Sequence, residues 1–194
     1  SRLGYTIKLL SVIRADEHGL VEVRTQPTLV PLSHVLASVS GSFNAVLVNG
    51  DIVGETLFYG RGAGQDPTSS SVISDLCEAA AVLMHGARHS GFVPHGLYGK
   101  SKPVDDTISH HYLRLTVDDV PGVLAQVATE LGKRGIGISS VLQPEDLEST
   151  TGETSLVLMV HDARVSDMKQ ALDALRSLSC VRGEPTWMRV ETLQ

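Results

Sequence analysis

Apolar residues recur along this chain at two periods, and the switches between them outline its elements. Gly4 to Val12 (GYTIKLLSV) is apolar and β-branched, and Val21 to Thr25 (VEVRT) alternates, so both predict strands. Pro27 and Pro31 are expected to break regular structure, and Leu32 to Val39 suits a short helix. Asn44 to Val48 and Glu55 to Tyr59 predict two strands joined through Asn49-Gly50-Asp51, because an Asn-Gly pair tolerates the positive φ of a tight hairpin. Asp66-Pro67 is a good N-cap and first-turn pair for a helix running to about Gly86. Val72, Ile73, Leu76, Ala79, Ala80 and Leu83 mark its apolar face at three-to-four spacing. Residues 90–108 mix glycine, proline and charge without a period and predict a linker between a domain at 1–89 and another at 109–192.

The second half has a clear order. Tyr112 to Val117 alternates as a strand, with Leu113, Leu115 and Val117 on one face. Val123 to Arg134 is helical, with Val123, Leu124, Val127 and Leu131 as its apolar stripe and Gly135 as its stop. Ile136 to Leu142 and the very apolar Ser155 to His161 predict two more strands around the polar stretch Pro144–Glu153. Ser166 to Leu178 is helical through Met168, Ala171, Leu172, Leu175 and Leu178, and Thr186 to Val190 closes the series. The order is βαββαβ, a ferredoxin-like α+β fold in which two helices cover one side of a four-stranded sheet. Leu156 to Val160 is apolar at every position, as if both its faces were covered, so a partner on the second face and hence a homo-oligomer is expected.

Composition narrows the functional classes. The net charge of −6 and the absence of a basic run argue against a nucleic-acid partner. Only 4% of residues are aromatic, so aliphatic side chains must build the core. Cys77 and Cys180 are too few and too far apart for a disulfide framework and read as free thiols in a reducing cytoplasm. No 18-residue apolar run spans a membrane, no basic flank with an apolar run marks a signal peptide, and the start at Ser1 suggests a piece of a longer chain.

Leu113-Arg-Leu-Thr-Val-Asp-Asp-Val-Pro-Gly-Val-Leu, followed by Gly135-Ile-Gly-Ile and Val141-Leu-Gln, resembles the ACT domain family of amino-acid sensors. The resemblance implies an effector site at Asp119, Pro121, Gly122, Val123 and Leu124. There a tight turn exposes helix N-terminal amides to a carboxylate, and Asp119 can accept from an ammonium group. Gly137 stands where that family often has Asn or Ser, so one ligand-contacting side chain is missing.

The first part is similar to a second family. Gly4-Tyr-Thr-Ile-Lys-Leu-Leu, Val23-Arg-Thr-Gln-Pro-Thr-Leu-Val-Pro, Phe43-Asn-Ala-Val and the run from Phe58 through Gly60-Arg-Gly-Ala-Gly-Gln-Asp-Pro to Val72 resemble the C-terminal half of the homoserine dehydrogenase catalytic domain. Bacterial members often carry a C-terminal ACT domain in this order. The resemblance implies interconversion of L-homoserine and L-aspartate 4-semialdehyde with NAD or NADP, in threonine and methionine synthesis, with L-threonine as the effector. It places Gly62, Ala63 and Gly64 near the nicotinamide end of the dinucleotide. The family's nucleotide-binding strand, G-x-G-x-x-G turn and helix do not occur here, and its catalytic Asp and Lys lie upstream of Gly4. The chain is therefore expected to hold part of the substrate domain and the regulatory domain, no catalytic residue, and no activity alone. The rival is a non-catalytic ACT-type module that binds an amino acid or directs assembly.

Other candidates are weaker. His85 and His89 share a helix face and His110 and His111 are adjacent, but no third ligand completes a metal site, so solvated histidines are expected. His34 lies where the dehydrogenases commonly show a His, with Val35 replacing the following Pro; it is read as structural. Ser69 to Ser71 suit a helix cap, the pairs Asp105-Asp106 and Asp118-Asp119 are acidic, the first of them a solvated linker feature, and Trp187 is expected in core or interface.

Overall fold

A computed structural model describes residues 3–85, 100–144 and 152–192. Packing groups the chain into two compact units, one of residues 1–32 with 99–194 and one of residues 33–98. The division expected at 90–108 follows sequence content; the first thirty residues pack with the second half.

In the first unit, β5 (Ile108–Asp118), α2 (Val123–Gly132), β6 (Ile138–Leu142), β7 (Glu153–Arg164), α3 (Val165–Arg176) and β8 (Val181–Val190) follow the expected βαββαβ order. The sheet has six strands, not four. A hairpin of β1 (Tyr5–Ala15) and β2 (Val21–Pro31) extends it to the order β1-β2-β8-β5-β7-β6. The prolines do not stop β2, which runs through Pro27 to Pro31. The Leu29 carbonyl accepts from the Glu191 amide, so by strand alternation Pro27 and Pro31 also turn their missing N–H away from β1. On that side only Thr28 and Leu29 pair with β8, in parallel, so neither proline breaks a ladder bond.

Alternation puts Leu113, Leu115 and Val117 of β5 on the helix side, opposite Leu158, Leu156 and Thr154 of β7. They form the main core with Val123, Val127 and Leu131 of α2 and Met168, Ala171, Leu172 and Leu175 of α3. Each large apolar side chain buried there contributes roughly 1.5–3 kcal/mol. On the second face Val157 and Met159 join Leu29, Tyr112 and Val190, with Leu3, Tyr5 and Met188 against them. The apolar run of β7 is thus covered by its own chain, and its burial requires no partner subunit.

An ionic network ties the hairpin to β8. Glu191, 2% exposed, holds Arg14 at 2.9 Å and Arg24, while Glu22 holds Arg24 at 2.7 Å and Arg189 at 3.0 Å. Such a cluster is costly to break because each lost partner leaves a buried charge.

The second unit holds a hairpin, β3 (Phe43–Gly50) with β4 (Gly54–Arg61), and α1 (Gln65–His85). The hairpin forms as expected but turns later. Asn49 and Gly50 remain paired, with Glu55 and Gly54, and the loop is Asp51-Ile52-Val53 closed by Gly54 at φ 70°. A three-residue loop with glycine in the left-handed region satisfies the strand twist that the Asn-Gly pair was expected to supply. The short helix expected at Leu32–Val39 is a single 3-10 turn, Val35–Ser38.

Candidate functional site

The glycine turn of the second unit joins the end of β4 to the start of α1. Gly62 N–H donates to Ser42 O at 3.0 Å, and Gly64 O accepts from the Thr68 amide at 3.2 Å as the helix begins. The helix starts at Gln65, so Asp66 is a first-turn acid and not its N-cap. Positive φ falls on Gly64, at 129°, and not on Gly62. A Cβ on Gly62 would sit 1.5 Å from Asn44 Nδ2 and 2.7 Å from its Cγ, so the Asn44 side chain would have to turn aside. Phe43 stacks on Tyr59 at 4.9 Å, with the Arg61 guanidinium 5.4 Å from the Phe43 ring centre. The stripe of α1 exists, but Val72, Ile73, Leu76 and Leu83 are all exposed. Ser71 Oγ donates to Pro67 O inside this helix, so it is a helix-turn residue.

The second candidate lies where β5 turns into α2. Val117, Val123 and Leu156 floor an open cavity of about 330 Å3 rimmed by Asp119, Pro121, Gly122 and Leu124, so all five expected effector residues line it. Gly122 occupies the helix N-cap at φ 91° with no side-chain cap, which leaves the first-turn amides of α2 available. Asp118 is not free to bind a ligand: Arg182 Nε and Nη2 donate to its two oxygens, each at 2.7 Å. Asp119 lines the cavity, with Gln143 Nε2 donating to its Oδ1 at 3.2 Å. Gln143 was missed as a site residue. It ends the Val141-Leu-Gln run, whose resemblance to the sensor motif was its only signal. Gly137 does not line this cavity; a Cβ there would meet the His161 ring at 3.2 Å.

The histidines divide. His34 Nδ1 accepts from the Leu36 amide and caps the 3-10 turn. His85 Nδ1 lies 2.9 Å from Ala81 O on the exposed helix, and His89 lies outside the described residues. His111 is not solvated as expected: it is fully buried. Its Nδ1 accepts from Trp187 Nε1 at 3.0 Å, and its Nε2 lies 3.2 Å from Ala163 O. Trp187 packs on the main core and is no cofactor platform. Asp105 and Asp106 pair with Lys169 and Arg164. Cys77 and Cys180 are free thiols, and among the described residues no group of histidine, cysteine and acidic side chains can hold a metal ion. No helix of the described residues is long and apolar enough to cross a membrane.

The geometry defines a class first: a chain that carries a strand-glycine-helix junction and a ferredoxin-like α+β domain. Comparison gives the family. Residues 1–77 match the homoserine dehydrogenase family model and residues 111–180 match the ACT domain model. A homoserine dehydrogenase of Pseudomonas aeruginosa is 42% identical over 98% of this chain and 45% of its own length. One of Neisseria gonorrhoeae is 39% identical over 98% of this chain and 44% of its own. The crystal structure of a homoserine dehydrogenase from Thiobacillus denitrificans superposes on 100% of this chain and 44% of its own, at TM-score 0.84 and 34% identity. The chain corresponds to the C-terminal part of homoserine dehydrogenases, with an ACT domain after the dehydrogenase segment. It spans about 45% of the curated relatives it matches.

Proposed function

We propose that this chain, within a full-length protein, serves the NAD- or NADP-dependent interconversion of L-homoserine and L-aspartate 4-semialdehyde, and that its ACT domain senses an amino acid, L-threonine first. The observation that carries the reading is the Gly60–Gly64 turn, set between a strand and a helix inside the segment that matches the dehydrogenase model. The bound nicotinamide supplies the hydride acceptor and donor. The backbone of Gly62, Ala63 and Gly64 and the first turn of α1 would border its nicotinamide end. Nothing lies within 4 Å of a Cβ built on Gly60, so the turn is open at its start. The exposed apolar stripe of α1 suits an element that packs on chain beyond this sequence or on a second copy, and a cytoplasmic setting agrees with both thiols being free. The non-catalytic alternative is disfavoured because similarity extends through both halves.

Fusing this sequence to the N-terminal part of the Pseudomonas aeruginosa relative tests the reading. The chimera is expected to reduce NAD or NADP in the presence of homoserine, to elute as a dimer or larger in light scattering, and the 194-residue chain alone to show no turnover. A folded but inactive chimera overturns the dehydrogenase assignment, and a monomer overturns self-association.

For the effector, threonine is expected to raise the melting temperature of the chain. Gly122→Asp should abolish the response through added charge and bulk, but φ 91° also strains any side chain there. Leu124→Glu places a like charge at the cavity rim without backbone strain. A ten-fold or greater loss of affinity is expected, on the order of 1.4 kcal/mol. No response of the wild type to any amino acid would leave the domain as an assembly module.

A further inference from the structure

A second cavity, of about 270 Å3, lies where the first strand meets the ACT sheet. Its floor includes Met159 of β7 and Val190 of β8, both members of the second apolar cluster. Tyr5 of β1, His110 at the head of β5, Ser140 of β6 and Thr192 beyond β8 bring polar groups to it. Ser140 and Thr192 are exposed and Tyr5 is half-buried. The buried His110 Nδ1 makes no hydrogen bond, and Asp162 Oδ1 stands 2.9 Å from it. Four groups able to give or take hydrogen bonds thus converge over an apolar floor, the pattern of a small-molecule pocket. No Lys, Arg, Asp or Glu lines it, so a charged head group would enter without a counter-charge.

The position matters as much as the chemistry. The hairpin's backbone meets the ACT sheet at two register pairs, Thr28 with Arg189 and Leu29 with Val190, and the 2.9 Å bond from Glu191 N–H to Leu29 O, beside the ion pairs of Glu22 and Glu191. A molecule in the cavity touches Tyr5 on the hairpin side and Val190 and Thr192 on the other. We propose that this cavity binds a small, uncharged aliphatic alcohol, and that occupancy fastens the β1–β2 hairpin to the ACT sheet. Binding to the joined state alone stabilises that state by mass action. The site is separate from the Asp119 cleft and does not depend on effector binding there.

The test is NMR on the whole chain with n-butanol as probe and butyrate and butylamine as charged isosteres. The methyl signals of Met159 and Val190 should shift saturably with butanol and little with either ion, and hydrogen exchange at the Glu191 amide should slow several-fold. Ser140→Phe fills the cavity from its exposed rim and should remove the response while the core spectrum persists. If that variant disturbs the sheet, Thr192→Val decides, since loss of its hydroxyl should weaken butanol several-fold. No saturable shift, an equal response to butyrate, unchanged exchange at Glu191, or unchanged binding by both variants overturns the proposal.

Discussion

Gly62→Val, introduced into a full-length dehydrogenase carrying this sequence, lowers kcat/KM for the nucleotide by about 100-fold, the scale of a small displacement at a reacting centre. The cause is local crowding. A Cβ on Gly62 overlaps Asn44 Nδ2 at 1.5 Å and Cγ at 2.7 Å, so either the Asn44 side chain turns aside or the turn shifts. Valine adds two methyl groups with a stiff χ1, which leaves little room to adapt. The turn is anchored by the Gly62 amide on Ser42 O and runs directly into α1, so its shift carries the helix start with it. Gly62→Ala combined with Asn44→Ala separates two roles. If the turn is only a bend, relief of the overlap restores the rate; if its backbone borders the cofactor, Gly62→Val stays impaired even over Asn44→Ala. Wild-type kinetics of Gly62→Val would remove the turn from the nucleotide site. The ACT domain should melt as before, because the turn lies in the other compact unit.

The turn shows where sequence reading reached and where it stopped. The glycine turn was legible, but the neighbour of Gly62 was not: Asn44 is eighteen residues away and faces Gly62 only once β3 and β4 pair. The βαββαβ order could be read because each element carries its own period, and one-sided burial in α2 and α3 repeats it. The sixfold sheet could not. Its extra contact is a two-residue parallel pairing between strands some 160 residues apart, and no local pattern encodes such a partner. The prolines of β2 misled for a related reason, since a missing N–H matters only if a neighbouring strand needs it. In the cleft at the start of α2 the motif announced Asp119 to Leu124, and Arg182 remained hidden because its ion pair with Asp118 spans β8 and β5.

His111 was hidden in the same way, and its burial makes the chain acid-sensitive. Between pH 6.5 and about 4 the protein is expected to lose on the order of 3 kcal/mol of stability through this one side chain. Burial is the largest cause of its depressed pKa, which is pushed down to about 4. The nearby Arg189 and His110 act in the same direction, while the hydrogen bond to Ala163 and the charge of Asp162 oppose them. The hydrogen bonds fix the neutral ring as well. Trp187 Nε1–H occupies the Nδ1 lone pair and Nε2–H points to Ala163 O, so a second proton would set two donors against each other. In the unfolded chain the ring takes up a proton near pH 6.5. Over the interval down to about 4 the unfolded state therefore binds more protons than the folded one, and stability falls as pH falls; above 6.5 the contribution is flat. Urea unfolding at steps through this interval measures the slope, and His111→Gln isolates it. Glutamine stays neutral and can still accept from Trp187, so the variant starts less stable through lost packing but flattens in the same window. The half-buried carboxylates Asp16 and Glu130, whose pKa values are lowered by their hydrogen bonds, act at lower pH and are common to both proteins. An equal slope in wild type and variant would show that His111 is not the group that titrates.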